Sequence, residues 1–474
     1  MIFFSNFNSI LPEFILFISG MLLLMYGAFV KNKNSSNLNV LTLLTIFIAS
    51  ISLLFVPDKS SIASSTFINS LLTKYIKLFV LILAFLVIYI SSNYLKRNQI
   101  YFFEYPVLLI FSILGMLVMI SANDLIILYI SIELQSLSLY VLVALRRGSI
   151  KGSEAALKYF ILGSIASAVI LYGCSMVYSV VGATNYEIIK QFSDQSFDNL
   201  ILSLGLVLII SGVAFKLSAA PFHMWTPDVY EGSPTSVTTV LITLPKLAAL
   251  IVLVNLLLNP FQNQTITWFP IIIIISILSM AIGSISALKQ DNLKRLFAFS
   301  TIANIGYVMI GLASVNDEAI KASFLYMFIY TFATLGIFSF IMILRIEDRQ
   351  LVTISDISGL SRSRPLLALS VAILLLSLAG IPPFGGFFGK LFIFIAAIEA
   401  GNLYLAIAGV IFSVISAYYY LKIIKTMYLD ESSEELIYNL DQKQLFVIIL
   451  MAFLMLFFVI YAETLITSIN FIYS

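Results

Sequence analysis

Charge, cysteine and histidine are all scarce in this chain of 474 residues. Charged residues make up 11% of it, whereas soluble domains carry about a quarter. The single Cys174 excludes an internal disulfide, and an iron–sulfur cluster needs several thiolates. The single His223 excludes a bis-histidine haem site, and neither a GxGxxG nor a P-loop pattern is present. The sequence therefore lacks the ligands for classical redox or nucleotide chemistry.

Apolar residues, by contrast, make up 61% of the chain, more than a soluble core could hide. Apolar segments recur along almost its whole length, and a helix needs about 20 apolar residues to cross a bilayer. The sequence therefore predicts an all-α polytopic membrane protein of about 14 transmembrane helices. The predicted helices are 10–30, 38–56, 74–92, 105–121, 123–144, 154–181, 198–220, 234–257, 267–287, 293–313, 318–344, 366–398, 402–428 and 443–467.

Proline and glycine are predicted to interrupt three of these helices. In one of them Lys216 precedes Pro221, and in another Pro245 directly precedes Lys246. The third contains the run LAGIPPFGGFFGK, which ends at Lys390. Broken transmembrane helices are tolerated where protein or water satisfies the freed backbone groups, so each break indicates an internal polar region.

Two of the breaks fall at corresponding places if the middle of the chain is divided into two five-helix units. In each unit the fourth helix is broken and carries a lysine, Lys216 or Lys390. Because five is odd, the second unit would be inverted, which is typical of transporters. The predicted divisions are an N-terminal three-helix segment at 1–104, the two units at 105–257 and 267–428, and a C-terminal helix at 429–474.

Positive charge predicts the orientation of the helices. Most of the 26 lysines and arginines lie in the loops after odd-numbered helices or at the adjoining helix ends. The positive-inside rule places those loops in the cytoplasm or matrix, so both termini are expected on the opposite side. The N-terminus has no basic region and no cleavage site, and it is interpreted as the start of a first helix and not as a signal peptide.

A few ionisable residues fall inside predicted helices, where a charged group costs roughly 2.5–3.5 kcal/mol. Glu133 is the acidic residue near a helix centre, and the basic ones are Lys158, Lys216, Lys246 and Lys390. Burial disfavours the charged form of a lysine, whereas a neighbouring carboxylate restores it. A Glu–Lys pair that opens and closes could therefore gate proton release, and a row of lysines in hydrated gaps could pass protons along.

Each of these residues also has a structural interpretation, although the functional one is favoured. Lys158 follows Glu154 by four residues, a spacing that supports an intrahelical ion pair. Glu133 could join two helices, and the three lysines beside helix breaks could cap carbonyls. His223 is weighed as a possible relay, but an interfacial hydrogen-bonding role is favoured, and Asp124 is predicted to cap a helix. Lys294 and Arg295 are attributed to the positive-inside rule alone.

Several stretches together resemble the antiporter-like membrane subunits of respiratory complex I, the group that contains mitochondrial NADH dehydrogenase subunit 2 and bacterial subunit N. They are NDLIILYISIELQSLSLYVLVAL, GSEAALKYFILGSIASAV, FKLSAAPFHMWTPDVYEGSPT, ITLPKLAAL, LKRLFAFSTIANIGY and LAGIPPFGGFFGK. The resemblance implies two inverted five-helix units that translocate protons while quinone is reduced elsewhere. It implies that Glu133 pairs with Lys216, that Lys158 and Lys246 connect the path, and that Lys390 is the terminal lysine.

The same resemblance implies the molecular context. The chain itself is expected to hold no cofactor, while the whole complex would use FMN, iron–sulfur clusters and ubiquinone. The expected partners are other membrane-arm subunits of complex I, including neighbouring antiporter-like ones, together with lipid and protons but no nucleic acid. The alternatives are a subunit of a multisubunit sodium/proton antiporter, which shares the fold, and a structural scaffold. The composition favours the mitochondrial inner membrane, with the bacterial cytoplasmic membrane as the alternative.

Overall fold

The structure is a computed structural model that describes residues 8–29, 36–58, 60–62, 65–195, 199–346, 349–431, 441–458 and 460. Its α-helices, numbered in chain order, are α1 Leu11–Phe29, α2 Ser36–Ser52, α3 Leu71–Arg97, α4 Glu104–Ile120, α5 Leu125–Val143, α6 Ile150–Val181, α7 Tyr186–Gln195, α8 Leu200–Leu217, α9 Trp225–Gly232, α10 Thr235–Leu258, α11 Thr265–Ala287, α12 Leu293–Ala313, α13 Asp317–Ile343, α14 Leu360–Ser363, α15 Pro365–Ala379, α16 Gly385–Glu399, α17 Leu403–Tyr428 and α18 Gln442–Leu456. Three short 3₁₀ segments lie at Leu53–Phe55, Gln262–Gln264 and Ser355–Ile357.

The only strands within the described residues form two short antiparallel hairpins. They are β1 Ser60–Ile62 with β2 Phe67–Asn69, and β3 Arg345–Ile346 with β4 Arg349–Gln350. In the part of the chain that the structure describes, eleven helices are long and apolar enough to cross a membrane, and α4, α15 and α18 are shorter apolar helices. The all-α multi-pass prediction is confirmed, although the predicted last helix, 443–467, extends beyond the described residues.

Helix boundaries follow local capping chemistry. Ser70 caps α3 in a reciprocal capping box with Thr73, so the helix begins three residues earlier than hydropathy predicted. Asp124 caps α5 as predicted, because its Oδ1 accepts hydrogen bonds from Ile126 N at 2.8 Å and Ile127 N at 3.3 Å. These polar side chains satisfy backbone N–H groups that a helix start leaves unpaired.

Two of the three predicted helix breaks are present. The chain leaves α8 at Leu217 and resumes a helix in α9, with Ser218 in the left-handed region at a φ of 63°. It leaves α15 at Gly380, which has a φ of 82° that favours glycine, and resumes in α16. Both breaks expose the last carbonyls of a helix to side-chain partners.

The predicted break at Pro245 is wrong. The helix α10 runs without interruption from Thr235 to Leu258 and contains Pro245 in its interior. A proline removes one backbone donor from a helix, but neighbouring helices can hold a buried transmembrane helix together around it. Nearly all of α10 is buried, so its surroundings supply that support.

The chain divides into two compact units. Unit 1 comprises Met1–Leu217 and Gly232–Pro270, and unit 2 comprises Ser218–Glu231 and Ile271–Ser474. The helix α10 of unit 1 and the helices α12 and α13 of unit 2 are almost fully buried. Their polar side chains are therefore held away from lipid, and Lys246 is one of them.

Candidate functional site

Lys216 lies in the last turn of α8 and is 7% exposed. Its Nζ donates a 2.7 Å hydrogen bond to the Ser136 hydroxyl and a 3.5 Å bond to the Tyr140 hydroxyl, both on α5. The same Nζ lies 5.8 Å from the centroid of the Tyr140 ring, within cation–π distance. The partners of this buried ammonium are therefore neutral hydroxyl groups and an aromatic ring.

Glu133 lies on α5, one turn before Ser136, and is half-buried. Its Oε1 is buried and has no hydrogen-bond partner among the described residues. Within that part of the chain no ion pair of 4 Å or less joins Glu133 to Lys216, so the predicted Glu–Lys couple is open in this structure. A carboxylate oxygen that is buried without a hydrogen-bond donor is costly to the folded structure.

Gly163 on α6 fixes the position of the Tyr140 hydroxyl. A Cβ at residue 163 would lie 2.1 Å from that oxygen, so only glycine leaves room for it. The Tyr140 ring also packs edge-on against Tyr159 of α6 at 4.7 Å between centroids. The α5–α6 packing thus holds the hydroxyl where it meets Lys216.

Lys246 is completely buried in α10, directly after Pro245. Its Nζ donates a 2.9 Å hydrogen bond to the main-chain carbonyl oxygen of Lys216. That carbonyl belongs to the last turn of α8, where no following turn of helix can supply an N–H. A cation at a helix C-terminus is favourable to the helix dipole, so Lys246 stabilises the broken end of α8.

In unit 2, Lys390 lies beside the helix break at Gly380. It lies on α16, is 3% exposed, and donates hydrogen bonds to the Leu378 carbonyl at 3.0 Å and the Ala379 carbonyl at 3.4 Å. These are the last carbonyls of α15, directly before Gly380. A third bond of 2.9 Å reaches the Ser413 hydroxyl of α17. Lys216 and Lys390 therefore lie beside the two predicted helix breaks that are present, whereas Lys246 lies within the continuous helix α10.

Two candidate residues differ from the others in their surroundings. Lys158 forms a 2.7 Å ion pair with Glu154, and the two side chains are 41% and 58% exposed. This is the intrahelical pair that their spacing predicts. His223 lies in the segment between α8 and α9, is buried, and has an Nδ1 without a hydrogen-bond partner among the described residues. The structure brings Lys216 and Lys246 into direct contact through the Lys216 carbonyl.

The sequence analysis did not predict a buried ion pair in unit 1, which joins Lys77 to Glu13. Lys77 is 1% exposed, and its Nζ lies 2.7 Å from Oε1 of Glu13 in the first turn of α1. It also donates to Asn69 Oδ1 at 2.9 Å and lies 4.7 Å from the Phe67 ring centroid. The capping signal at Ser70 could have revealed the pair, because it places Lys77 in the second turn of α3.

A second missed interaction involves Arg295 on α12 in unit 2. Its Nη1 lies 2.7 Å from Asp228 Oδ1 and 3.1 Å from Glu231 Oε2, both on α9. Arg295 is therefore more than a charge that orients the helices, because it holds the short helix α9 against α12. The neighbouring Lys294, also attributed to orientation alone, is 5% exposed.

The arrangement of hydroxyls and buried amines supports proton exchange at side chains. Among the described residues no group of three or more His, Cys, Asp and Glu side chains could hold a metal ion. Cys174 is buried and is the only thiol. Buried amines with hydroxyl partners can gain or lose a proton without a cofactor, and hydroxyl groups can pass one on.

Comparisons with known proteins agree with this picture. A family model described as NADH:quinone oxidoreductase/Mrp antiporter, TM, matches residues 122–416, more than half of the chain. NADH-quinone oxidoreductase subunit N of Pelagibacter ubique is 46% identical over 432 residues, which cover 90% of this chain and 91% of that protein.

Two solved structures have the same fold. A chain of respiratory complex I from Thermus thermophilus matches with a TM-score of 0.81 and 28% identity, over 97% of this chain and 99% of that one. A chain of the Mrp complex from Dietzia sp. matches with a TM-score of 0.86 over 99% of this chain and 97% of that one. Its identity is 18%, so it supports the fold alone.

Proposed function

The chain belongs to the NADH:quinone oxidoreductase/Mrp antiporter transmembrane family, and on that premise we propose that it is a membrane-arm subunit of complex I that translocates protons. It acts as part of a multisubunit NADH:quinone oxidoreductase, next to other antiporter-like membrane subunits. The chemistry of electron transfer belongs to other subunits, which would carry FMN, iron–sulfur clusters and the quinone site.

One observation carries the proposal. In unit 1 the buried ammonium of Lys216 is held by neutral hydroxyls of α5. A buried oxygen of Glu133, one turn before Ser136 on α5, has no hydrogen-bond donor among the described residues. A proton or a small shift of Lys216 toward Glu133 would satisfy that oxygen. The Glu133 and Lys216 side chains can therefore lie apart or form an ion pair. The ion pair favours the charged form of both groups, so the proton is held differently in the two states.

The proposed proton path gives each candidate residue a separate role. Glu133 and Lys216 form the gated couple, and Lys246 connects to it through the Lys216 carbonyl. Lys390 is the corresponding proton-exchanging group of unit 2. Lys158 is proposed to deliver or receive protons at the half-exposed surface of α6, where Glu154 holds it. His223 is proposed as a further relay.

We propose the bacterial cytoplasmic membrane as the location of this multi-pass protein. The relatives are bacterial, so they support the bacterial cytoplasmic membrane, and nothing in them supports the mitochondrial membrane that composition favoured. We propose that the basic loops face the cytoplasm and that both termini lie on the periplasmic side.

The test replaces each member of the couple in the assembled complex. Glu133→Gln and Lys216→Ala should lower NADH:quinone turnover coupled to proton pumping by about 10- to 100-fold. This is at or below the lower end of the effect expected when a proton-transfer group is lost. Proton uptake into vesicles and NADH oxidation would be measured on the same preparation.

The controls are Glu318→Gln and Lys321→Ala. These residues form a 2.9 Å pair at the start of α13, with the Glu318 side chain 66% exposed. They should pump normally. If Glu133→Gln and Lys216→Ala also pump normally, the proposed couple is not the proton site.

The second candidate is a subunit of a multisubunit sodium/proton antiporter, because the family and the fold include Mrp proteins. The named relatives at 40–46% identity favour complex I.

A further inference from the structure

Unit 1 contains a polar cavity where the ends of several of its helices meet. The cavity has a volume of about 370 Å³, within the range of about 300–1,000 Å³ that small-molecule sites occupy. Its wall includes Ser70 before α3, Ser121 after α4, Tyr186 at the start of α7 and Asn259 after α10. Every lining residue belongs to unit 1, so the cavity lies wholly within that unit.

The position of the cavity along the helices places it at a membrane face. One wall is α7, which has 10 residues and is too short to cross a bilayer. This helix buries Tyr186 and Ile189, whereas Ile188 is exposed. The loops that meet at the cavity follow the second, fourth, sixth and eighth predicted membrane helices, which the positive-inside rule places opposite the basic loops. Any occupant therefore has access from the headgroup layer on that side.

Two opposite charges line the cavity without pairing with each other. Glu187 and Lys190 are three residues apart on α7, and both belong to the cavity wall. The same spacing in α13 gives a 2.9 Å ion pair between Glu318 and Lys321. Among the described residues, however, no ion pair of 4 Å or less includes Glu187 or Lys190. One unpaired charge of each sign in the same wall fits a zwitterionic ligand.

Neutral polar side chains in the wall also have unused hydrogen-bonding groups. Tyr186 is 3% exposed, yet its hydroxyl forms no hydrogen bond with another described residue. Asn255 and Asn259 lie one turn apart at the end of α10, and within the described part of the chain their amides form no side-chain hydrogen bond either. A phenol and an amide N–H can donate to phosphate oxygens, and an amide oxygen can accept from an ammonium group.

The floor of the cavity is joined to the buried ion pair of unit 1. The Ser121 hydroxyl donates a 3.1 Å hydrogen bond to Asn69 Oδ1, which also accepts from Lys77 at 2.9 Å. Lys77 in turn pairs with Glu13 at the start of α1. A ligand in the cavity would therefore rest on the side chains that join α1 to α3, and its binding should stabilise their packing.

We propose that this cavity binds the headgroup of a zwitterionic phospholipid whose ammonium group is primary, as in phosphatidylethanolamine. The Lys190 ammonium and the neutral donors hold the phosphate, while Glu187 accepts hydrogen bonds from the lipid ammonium. The acyl chains stay in the bilayer, and the apolar residues Ile68 and Ile120 line the cavity beside the polar ones. A phospholipid is the occupant because the cavity opens where the headgroups lie.

The ammonium group decides which zwitterionic lipid fits. A primary ammonium has three N–H groups that can donate to Glu187 and to amide oxygens, as the ammonium of lysine does. A choline headgroup carries the same charges but has no N–H, so it leaves those acceptors unsatisfied. The site should therefore prefer ethanolamine to choline, and this preference should depend on Glu187.

The experiment titrates the assembled complex, purified in detergent and depleted of lipid, with short-chain phosphatidylethanolamine. The readout is the temperature at which this chain is released from the complex, because a ligand that binds the folded protein raises that temperature as its concentration increases. Phosphatidylcholine of the same chain length should need about tenfold more lipid for the same protection, since it lacks the hydrogen bonds to a charged acceptor.

Two variants test the charges in the wall. Lys190→Ala and Glu187→Gln should each raise the concentration of phosphatidylethanolamine needed for half-maximal protection by about tenfold, and Glu187→Gln should also abolish the preference over phosphatidylcholine. Neither side chain has an ion-pair partner among the described residues, so the lipid-free complex should keep its stability. Lys321→Ala and Glu318→Gln are the matched controls, because they remove the same charges at the same spacing outside the cavity.

The proposal is refuted if Lys190→Ala and Glu187→Gln titrate like the two controls, because the protecting lipid then binds elsewhere. Equal protection by both lipids in the unaltered complex would rule out the ethanolamine headgroup. Soluble phosphoethanolamine is a further arm: if it protects at the same concentration as the lipid, a free zwitterion and not a phospholipid is the occupant. A photoreactive phosphatidylethanolamine in phosphatidylcholine vesicles should label the peptide that contains Glu187 and Lys190, and labelling of other peptides alone would contradict the site.

Discussion

At the scale of single residues, the buried lysines differ in what they touch. Lys216 is held by hydroxyls on a neighbouring helix, whereas Lys246 and Lys390 donate to carbonyls at helix ends. The first arrangement leaves the ammonium able to move toward another acceptor. The other two lysines are part of the backbone hydrogen bonding of a helix break, so their replacement would disturb structure as well as proton exchange.

A substitution at Gly163 tests the hydrogen-bond partners of Lys216 without changing any charged group. In Gly163→Ala the new Cβ would meet the Tyr140 hydroxyl, which must move away from Lys216. We expect pumping-coupled turnover to fall several-fold, with a stability loss of about 1–3 kcal/mol from overpacking. Both can be measured as activity and thermal stability of the purified complex.

Gly148→Ala is the control, because a Cβ there would meet nothing within 4 Å and the residue lies outside the helices. Normal turnover in Gly163→Ala with assembled complex would show that the Tyr140 position does not matter for the path.

At the scale of elements, composition and spacing predicted the helices well, because a run of about 20 apolar residues has few other uses. The breaks after Leu217 and Gly380 were predictable from proline, glycine and lysine in the same short stretch. The break at Pro245 was predicted wrongly because a proline in the sequence reports only on the local backbone. The continuity of α10 depends on the helices packed around it.

The side-chain partners were harder to predict from the sequence than the helices. The Glu133–Lys216 couple was predicted as a pair, yet the ammonium is held by Ser136, a residue type with no charge to draw attention. The Glu13–Lys77 pair joins residues 64 positions apart, and neither stands at a predicted helix centre. Such contacts depend on which helices become neighbours, and periodicity within one helix does not contain that information.

The Glu13–Lys77 pair predicts a clear stability effect. Lys77→Met leaves a buried carboxylate without its cation, which should destabilise the N-terminal helices by about 3–5 kcal/mol. Glu13→Gln together with Lys77→Met removes both charges and should recover most of that loss. Thermal denaturation of the purified complex, followed by release of this chain, measures both variants.

The double variant is itself the control in that experiment. If Lys77→Met alone is as stable as the unaltered protein, the pair does not hold α1 to α3.

At the scale of the whole molecule, the exposed side chains indicate what surrounds the chain. Large apolar side chains are exposed along α1, α2, α6 and α17, as expected of surfaces that meet lipid or other membrane subunits. Lys158 and Glu154 lie on α6 among such side chains, including Leu157 and Phe160. A half-exposed ion pair on an apolar surface suits a face covered by a neighbouring subunit better than one open to hydrocarbon.

Purification of the tagged chain tests the assembly. We expect it to bring along subunits that carry flavin and iron–sulfur clusters, together with NADH:quinone oxidoreductase activity that pumps protons. Absorbance spectra and mass spectrometry of the intact assembly would identify them. An assembly that contains antiporter-like subunits but no redox group would instead favour the sodium/proton antiporter.

The hydrogen bonds from Lys246 and Lys390 to helix-end carbonyls have a further consequence. An amine that has given up its proton still carries two N–H groups, so it can keep donating to the same oxygen. Charge can therefore come and go at these positions while the backbone stays fastened. If these lysines exchange protons as proposed, a large movement during turnover is therefore expected at the Glu133–Lys216 couple, where formation of the ion pair would depend on charge.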